Sequence, residues 1–172
     1  LVNPKILALS IQQCNEEFSR RVVKAVKQKL PDITILVGGF SCYHAGIGLR
    51  AFPDCDYMCI AEADLTVGPL VEMILHNLQP RNMPGVVSRY DDEDYRFIPG
   101  PIPHDLDTLE HPRFEWVENL SVYRNYNGYQ LTPVIASRGC MWSRCTFCAE
   151  RFYWRIRTPK SFVDELEWLI SQ

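Results

Sequence analysis

Three short apolar runs, each followed by residues at helical spacing, occupy the first half of the chain. The runs extend from Lys5 to Ile11, from Ile33 to Val37 and from Asp56 to Ile60. Nearly continuous apolar runs of this length are typical of strands that are buried on both faces of a parallel sheet. The alternation therefore predicts an α/β fold with a Rossmann-like, doubly wound parallel sheet.

Apolar residues at helical spacing predict three helices around these strands. The first helix begins at Asn15, a candidate N-cap, and ends near Leu30 because Pro31 follows. A short helix over residues 43–52 and a longer one from Asp64 to Leu78 follow the next two strands. The predicted inward positions of the first and third helices are Phe18, Val22, Ala25, Val26, Lys29 or Leu30, Leu65, Pro69 or Leu70, Met73, Ile74 and Leu78.

Residues 80–131 differ from the first part, since half of the twelve prolines lie between residues 80 and 112. Val86 to Tyr90 and Tyr95 to Ile98 flank an acidic turn and predict a β-hairpin. The segment from Pro99 to Arg113 is typical of an extended linker. A group of aromatic residues follows, which either packs on the adjoining domain or forms a substrate surface: Phe114, Trp116, Tyr123, Tyr126 and Tyr129.

The last forty residues predict a strand, a loop and a helix. Thr132 to Ala136 is a short apolar run, and Ser161 to Ile170 has helical spacing with Thr158 or Ser161 as its cap. This order is that of the first unit of a β/α barrel, whose site lies at the C-terminal end of the strand. The predicted domains are 1–80, the α/β sheet; 81–131, hairpin and linker; and 132–172, the start of the barrel.

Composition excludes several classes of protein. The chain has 47% hydrophobic and 23% charged residues and a net charge of −3, which is ordinary for a globular protein and argues against nucleic acid as a partner. No apolar run approaches the ~18 residues that suggest a membrane span, and no signal peptide is recognised. We expect a cytoplasmic protein with reduced cysteines.

Both ends suggest a piece cut from a longer protein, because Leu1 is not an initiator Met and the last helix reaches the final residues. We expect such a piece to be inactive on its own. We also expect it to self-associate through the apolar faces that its missing parts would cover.

The candidate chemistry is concentrated between Ser137 and Glu150, where Cys140, Cys145 and Cys148 lie within nine residues. Cysteine thiolates are the ligands of iron–sulfur clusters, and three of them would leave one iron of a 4Fe–4S cube open. A structural zinc site needs four ligands, and a disulfide with one odd thiol is the other alternative. The remaining cysteines have no common spacing and are predicted to play no part: Cys14, Cys42, Cys55 and Cys59.

The sequences Ser137-Arg-Gly-Cys140 and Cys145-Thr-Phe-Cys148 resemble the cluster loop of radical S-adenosylmethionine (SAM) enzymes, above all those with a cobalamin-binding domain before the barrel. The resemblance implies that the three cysteines bind a 4Fe–4S cluster and that SAM chelates the open iron. It also implies that Phe147 packs near the adenine of SAM. The family usually has three residues between the first two cysteines, whereas this chain has four.

A second candidate site follows the second strand at Gly38-Gly39, where such sheets bind ligands. A tight turn after the strand would explain the same two glycines. The segment from Lys5 to Leu78 resembles the later half of a cobalamin-binding domain. The resemblance implies that Gly38, Gly39 and Ser41 lie beside the nucleotide tail of the corrinoid. Glu62 or Asp64 matches an acidic residue of the family, and we interpret His44 as a loop residue, not as a cobalt ligand.

The segment from Arg138 to Lys160 carries six Lys or Arg residues against the single acid Glu150. It could attract an anionic cofactor or substrate, or it could be a solvated basic face. Arg155 and Arg157 resemble the family's approach to the first barrel helix. They either tie that helix to the loop or, in the case of Arg157, contact SAM.

The resemblance implies part of a cobalamin-dependent radical SAM enzyme. In that family a reduced cluster splits SAM into methionine and a 5′-deoxyadenosyl radical that takes hydrogen from the substrate, and cobalamin often then delivers a methyl group. Two non-enzymatic alternatives remain: an iron–sulfur electron carrier or redox sensor, and a corrinoid carrier. The sequence does not indicate whether the substrate is a small molecule or a peptide.

Overall fold

The structure is a computed structural model that describes residues 4–42, 44–46, 48–117, 119, 122, 124, 127–129, 131–148 and 152–171. The chain divides into two compact units, Leu1–Ile102 and Pro103–Gln172. The parallel strands lie in the first unit and the three clustered cysteines in the second. Some residues that the sequence analysis named lie outside the described residues: residues 43 and 47 of the predicted short helix, Tyr123, Tyr126, Glu150 and Arg151.

The first unit is a four-stranded sheet with helices between its strands. Its elements are β1 (Ile6–Ser10), α1 (Glu16–Lys29), β2 (Thr34–Gly38), α2 (Gly48–Ala51), β3 (Tyr57–Cys59), α3 (Val67–Leu75) and β4 (Val86–Ser88). The strand order is β1-β2-β3-β4, in which the first three strands are parallel and β4 is antiparallel to β3. The predicted α/β fold is thus confirmed.

Strand β2 lies between two apolar clusters, one on each face of the sheet. Ile35 and Val37 belong to the first cluster, together with Val23 of α1, while Leu36 joins Leu70 of α3 in the second. Successive residues of a strand point to opposite faces, so the central positions of a strand that is covered on both sides are apolar in succession. This explains the consecutive apolar residues Ile35, Leu36 and Val37, which are all buried.

The helical stripes predicted from sequence are partly wrong. In α1 the buried residues are Ser19 and Val23, whereas Phe18 is 70% exposed. Leu65 and Leu78, predicted to face inward, lie outside α3 and are exposed. Met73, within α3, is exposed as well. α3 is shorter than predicted, and the buried residues of α1 follow the predicted positions Phe18 and Val22 by one residue.

Asn15 precedes α1 as predicted, but its side chain does not cap the helix. Its Oδ1 accepts a hydrogen bond from Gln12 N at 2.8 Å, and its Nδ2 donates to Ser10 O at 3.1 Å. The amide therefore stabilises the connection between β1 and α1. An Asn side chain commonly makes such local backbone bonds, which compete with helix capping.

The hairpin predicted around the acidic turn is wrong. β4 pairs with β3 in the main sheet, with Met58 opposite Val87, and residues 95–98 form no strand. The second segment of the predicted hairpin instead makes one backbone bond, in which Ile98 O accepts from Gly85 N at 2.8 Å. A Cβ added to Gly85 would lie 2.8 Å from Gly100 Cα, so the two limbs are joined by one close backbone crossing.

The second unit contains two very short strands and one long helix. β5 (Ser137–Arg138) pairs antiparallel with β6 (Arg155–Ile156), and α4 (Pro159–Ser171) follows. The strand predicted over residues 132–136 is wrong, because the pairing with β6 begins only at Ser137. The predicted last helix is confirmed, and its cap is Thr158, whose Oγ1 accepts from Ser161 N at 3.2 Å. No helix within the described residues is long and apolar enough to span a bilayer.

Residues 103–111, which we call the strap, pack within the second unit and do not form a free linker. Leu106 in the strap is only 1% exposed. Asp107 accepts from Thr158 N at 3.0 Å, and hydrogen bonding to Thr158 lowers the pKa of the Asp107 carboxyl. Further along, His111 Nδ1 lies 3.3 Å from the buried Glu165 Oε2 of α4. The strap is therefore anchored at the start of α4, through the bond between Asp107 and Thr158.

A strained position follows β3, and we predict that glycine there stabilises the protein. Ala61 has a φ of 63°, a left-handed conformation that costs a residue with a Cβ about 1–2 kcal/mol. After the greater backbone entropy of glycine in the unfolded chain is subtracted, Ala61→Gly should raise the free energy of unfolding by about 0.5–1 kcal/mol. Urea unfolding followed by circular dichroism measures this change.

The matched control is Ala63→Gly, two residues further on, where φ is not positive. This change adds unfolded-chain entropy and removes a methyl group that packs against the second apolar cluster, so it should lower the free energy of unfolding by about 1 kcal/mol. Equal effects of the two substitutions would show that Ala61 is not strained.

Candidate functional site

The predicted cobalamin residues lie at the carboxyl ends of the parallel strands. Gly38 ends β2, and Gly39 has a φ of 98°. A Cβ added to Gly39 would lie 2.8 Å from both Ile11 N and Ile11 O, which is too close for any side chain. Gly39 is therefore required by the crossing with Ile11, as the tight-turn alternative proposed, whereas a Cβ at Gly38 would lie 3.6 Å from Cys59 Cβ and would fit.

The surrounding loops are held by backbone hydrogen bonds. Ser41 N donates to Ile11 O at 3.1 Å, and Ala61 N donates to Cys42 O at 3.0 Å. Glu62 and Asp64 follow β3 at the same edge of the sheet. The loops after β1, β2 and β3 thus meet at this edge, which is the position where open α/β sheets bind ligands.

His44 is a turn residue, as expected. Its Nδ1 accepts from Gly46 N at 3.0 Å. A ring nitrogen used in this way stabilises the loop after β2.

The cysteine loop is closed at its base by β5 and β6. Ser137 pairs with Ile156 and Arg138 with Arg155. Beyond the strands Cys140 N donates to Phe152 O at 3.4 Å. Gly139 has a φ of 81°, and a Cβ there would overlap Tyr153 O. Only glycine permits this crossing, which fixes where the loop begins one residue before the first cysteine.

The four-residue spacer between Cys140 and Cys145 folds as a turn around the first cysteine. Ser143 has a left-handed backbone with a φ of 43°, and its amide donates to Cys140 Sγ at 3.3 Å. The Arg144 guanidinium carbon lies 5.5 Å from the centre of the Trp142 ring. The additional residue in the spacer is therefore accommodated inside a compact turn.

The three thiols fit an iron–sulfur cluster in chemistry and accessibility. All three are outside disulfides and partly exposed, and a backbone amide already donates to one sulfur, a type of contact that tunes clusters. Within the described residues, however, no three His, Cys, Asp or Glu side chains are arranged to hold a metal ion. The loop thus supplies the donors at a fixed base, without a preformed three-sulfur arrangement.

Phe147, the predicted neighbour of the SAM adenine, is 91% exposed. Three other large apolar side chains of the loop segment are also exposed: Met141, Trp142 and Tyr153. Arg157, the alternative SAM contact, is instead 8% exposed and donates to Ser161 Oγ at 3.2 Å. This contact favours the structural role for Arg157, tying β6 to α4.

The cysteines of the first unit contrast with those of the loop. Burial raises the pKa of the Cys42 thiol to about 11, that of Cys55 to about 12 and that of Cys59 to about 11. These thiols remain protonated at neutral pH and are poor metal ligands, since the thiolate is the ligand. All three belong to the apolar clusters of the first unit.

Sequence reasoning missed the buried carboxylate of the first unit. Asp56 lies in a predicted strand and is bound by Lys27 Nζ at 2.8 Å, by Tyr90 Oη at 3.1 Å and by Ile35 N at 2.8 Å. An acid inside an apolar run was the available signal, because a buried charge requires partners. Arg155 was recognised as a structural residue, but its partner Pro103 lies fifty-two positions away, which no local pattern reveals.

The chain has an α/β unit followed by a unit with the cysteine loop, which is the arrangement of the enzyme class that the sequence resembles. Two solved structures with similar folds carry names of that class. TsrM from Kitasatospora setae, a radical SAM methyltransferase solved with cobalamin and a 4Fe–4S cluster, matches with a TM-score of 0.66 at 20% identity, covering 99% of this chain and 36% of its own. The cobalamin-dependent SAM radical enzyme OxsB matches with a TM-score of 0.66 at 18% identity, covering 98% of this chain and 23% of its own.

Two relatives found by sequence comparison carry the same enzyme name. The anaerobic magnesium-protoporphyrin IX monomethyl ester cyclase of Synechocystis sp. is 30% identical over 154 residues, 87% of this chain. The enzyme of the same name from Rubrivivax gelatinosus is 24% identical over 164 residues. The chain spans 30% and 29% of the lengths of these relatives, and no protein-family model matches it. The resemblance to cobalamin-binding radical SAM enzymes is confirmed, and the fold is theirs.

The close crossing at Gly139 generates a prediction about the cysteine loop. Gly139→Ala should cost more than the ~1–2 kcal/mol of left-handed strain, because the methyl group also meets Tyr153 O. We expect the Cys140 amide to exchange its hydrogen with solvent much faster, since the loop base must open. Amide hydrogen exchange measured by mass spectrometry detects this change.

Gly128→Ala is the matched control. Gly128 has a nearly identical φ of 82°, but an added Cβ would meet nothing within 4 Å. Gly128→Ala should therefore lower stability only through the strain of its left-handed backbone. The hydrogen exchange rate of the Cys140 amide should not change. The close-crossing argument fails if both variants behave alike.

Proposed function

We propose that this chain is part of a cobalamin-dependent radical SAM enzyme whose 4Fe–4S cluster is held by Cys140, Cys145 and Cys148. The observation that carries the proposal is the likeness to TsrM over 99% of the chain. That likeness includes both the α/β unit and the unit with the cysteine loop. A stand-alone corrinoid carrier would account only for the α/β unit, whereas an iron–sulfur electron carrier beside such a unit would have a cluster that is indifferent to SAM.

The cofactors follow from the same likeness. TsrM was solved with cobalamin and a 4Fe–4S cluster, and also with tryptophan and a SAM analogue. We propose the cluster, SAM and cobalamin as cofactors of the full-length protein. When bound, the cluster supplies the electron that splits SAM into methionine and a 5′-deoxyadenosyl radical.

The residues of this chain would bind and orient these groups. The three loop cysteines provide thiolates, and the amide of Ser143 donates to one of them, at Cys140 Sγ. The exposed ring of Phe147 is available to cover the adenine. At the other candidate site Gly38, Gly39 and Ser41 present backbone at the carboxyl edge of the sheet, where a corrinoid tail can approach closely.

The sequence relatives favour a finer candidate than methyl transfer. Both are named as cyclases of magnesium-protoporphyrin IX monomethyl ester, and the first is more similar in sequence than either solved structure. We therefore propose a hydrogen-abstraction reaction on a tetrapyrrole ester, with methyl transfer to another substrate as the second candidate.

The SAM products distinguish these two reactions. Hydrogen abstraction yields 5′-deoxyadenosine and methionine, whereas donation of the SAM methyl group leaves S-adenosylhomocysteine. With magnesium-protoporphyrin IX monomethyl ester under anaerobic, reducing conditions, we expect substrate-dependent 5′-deoxyadenosine and little S-adenosylhomocysteine. Substrate-dependent S-adenosylhomocysteine would favour methyl transfer, and an unchanged porphyrin would exclude this substrate.

Ligand count gives the prediction that tests the cluster. In the full-length protein Cys145→Ala leaves two protein thiolates, so it should lose most of the bound iron, the visible absorption of the cluster and all SAM cleavage. Phe147→Ala should retain the cluster but bind SAM more weakly, since the ring is exposed and makes little contribution to folding. Anaerobic reconstitution, iron analysis and SAM titration provide these measurements.

Cys59→Ala is the control for the loss of a thiol. This cysteine is buried in the first unit and protonated, so its removal should leave iron and SAM cleavage intact and cost on the order of 1 kcal/mol in stability. Normal iron content and SAM cleavage in Cys145→Ala would contradict the assignment of the loop and, with it, the function.

A further inference from the structure

The side chain of Arg155 is buried where the cysteine loop returns to the body of the second unit. Arg155 is the first residue of β6 and is only 5% exposed. A buried charge is unfavourable unless polar groups bind it, so the partners of the guanidinium indicate which parts of the chain depend on it. Two of these partners are backbone carbonyls on different segments.

Arg155 joins the returning limb of the loop to the strap. Its Nε donates to Tyr153 O at 3.1 Å, and its Nη1 donates to Pro103 O at 2.6 Å. Tyr153 O is the atom against which Gly139 packs. The guanidinium therefore binds the carbonyl at the point where the two limbs of the loop cross.

The strap gives this arginine a fixed support. Leu106 is buried, and Asp107 accepts from Thr158 N at the start of α4. The carbonyl of Pro103 is therefore held within a segment that is anchored independently of the loop. A planar guanidinium fixes the angle between two acceptors in a way that a lysine ammonium does not.

The backbone ladder at the base of the loop is short. β5 and β6 pair over two residues. On one side of these pairs Arg157 N donates to Ala136 O at 2.9 Å, and on the side of the cysteines the bond from Cys140 N to Phe152 O is long at 3.4 Å. An isolated two-stranded pair is marginally stable in water, so the contacts that hold Tyr153 contribute to the position of the limb that carries Cys140.

We propose that Arg155 is the positioning residue of the cysteine loop: by binding Tyr153 O and Pro103 O it holds Cys140 in place for the cluster. The part that concerns the cluster rests on the proposed function, whereas the part that concerns the loop does not. Residues that orient metal ligands without touching the metal typically change metal affinity about 10–100-fold when they are replaced.

Arg157 provides a matched comparison on the same strand end. It is 8% exposed, and its Nη1 donates to Ser161 Oγ at 3.2 Å, which ties β6 to α4. Its side chain has no bond to the loop limbs among the contacts described here. Arg157→Lys should therefore lower stability without moving the loop.

The first measurement uses the full-length protein without its cluster. Arg155→Met keeps the length of the side chain but removes both hydrogen bonds, so the Cys140 amide should exchange about tenfold faster than in the wild type. Arg155→Lys, which can bind one carbonyl, should be intermediate. Arg157→Lys should match the wild type at Cys140. Unchanged exchange in Arg155→Met, or equal exchange in Arg155→Met and Arg157→Lys, would overturn the proposal.

The second measurement uses the reconstituted protein below its unfolding temperature. We expect iron to pass to a chelator about tenfold faster from Arg155→Met than from the wild type or Arg157→Lys, with an altered electron paramagnetic resonance line shape of the reduced cluster. Equal rates and line shapes would overturn the role towards the cluster. If the wild type binds no iron, the proposed function fails, and hydrogen exchange still decides whether Arg155 positions the loop.

Discussion

The first unit depends on one buried carboxylate. Asp56 lies directly before β3, is bound by Lys27 at the end of α1 and by the amide of Ile35 in β2, and also receives the hydroxyl of Tyr90. Lys27 in turn donates to Ile33 O at 2.6 Å. Because removing one partner from a buried pair leaves an uncompensated charge at a cost of about 3–5 kcal/mol, this cluster fixes how α1 and the strands meet. It lies at the amino ends of the strands, so the loops at the carboxyl ends remain available for a ligand.

The elements that could be predicted are those whose signal is local. Buried parallel strands appear as apolar runs, and β1, β2 and β3 were found where the runs predicted them. Val86 to Tyr90 was also recognised as a strand segment, but its partner was wrong: nothing in the local sequence states that β4 pairs with β3 and not with the nearer residues 95–98. The partner of β4 depends on contacts that are distant in sequence. Val86 of β4 packs in the second cluster with Tyr57 and Cys59 of β3. The close approach of Gly85 to Gly100 joins the segment after β4 to its start.

The candidate site likewise combines local features, which the sequence shows, with long-range contacts, which it does not show. The three cysteines, Gly139 and the glycine pair were recognisable because residue type and spacing carry their chemistry. The strap was assigned to a linker, since prolines and the absence of periodicity are the only local features of residues 99–113. Its contacts with Thr158 and Arg155 cross about fifty residues of sequence, and such contacts leave no periodic trace. The strand at 132–136 was displaced for a related reason: Pro133 cannot donate to a ladder, and pairing starts only where β6 supplies a partner.

Both candidate sites are built on the same physical device, a glycine whose missing Cβ lets two backbone segments cross. Gly39 crosses Ile11 at the end of β1, and Gly139 crosses Tyr153 at the base of the cysteine loop; each has a positive φ, and at each an added Cβ would lie within 2.8 Å of backbone. Because these crossings involve backbone atoms, they fix where each loop begins without specifying the side chains that follow. The loop after Gly139 can therefore carry four residues between its first two cysteines: the turn at Ser143 absorbs the additional residue beyond the crossing, and the anchored base does not have to change. Variation in loop length is thus compatible with one fixed point of attachment for the ligands.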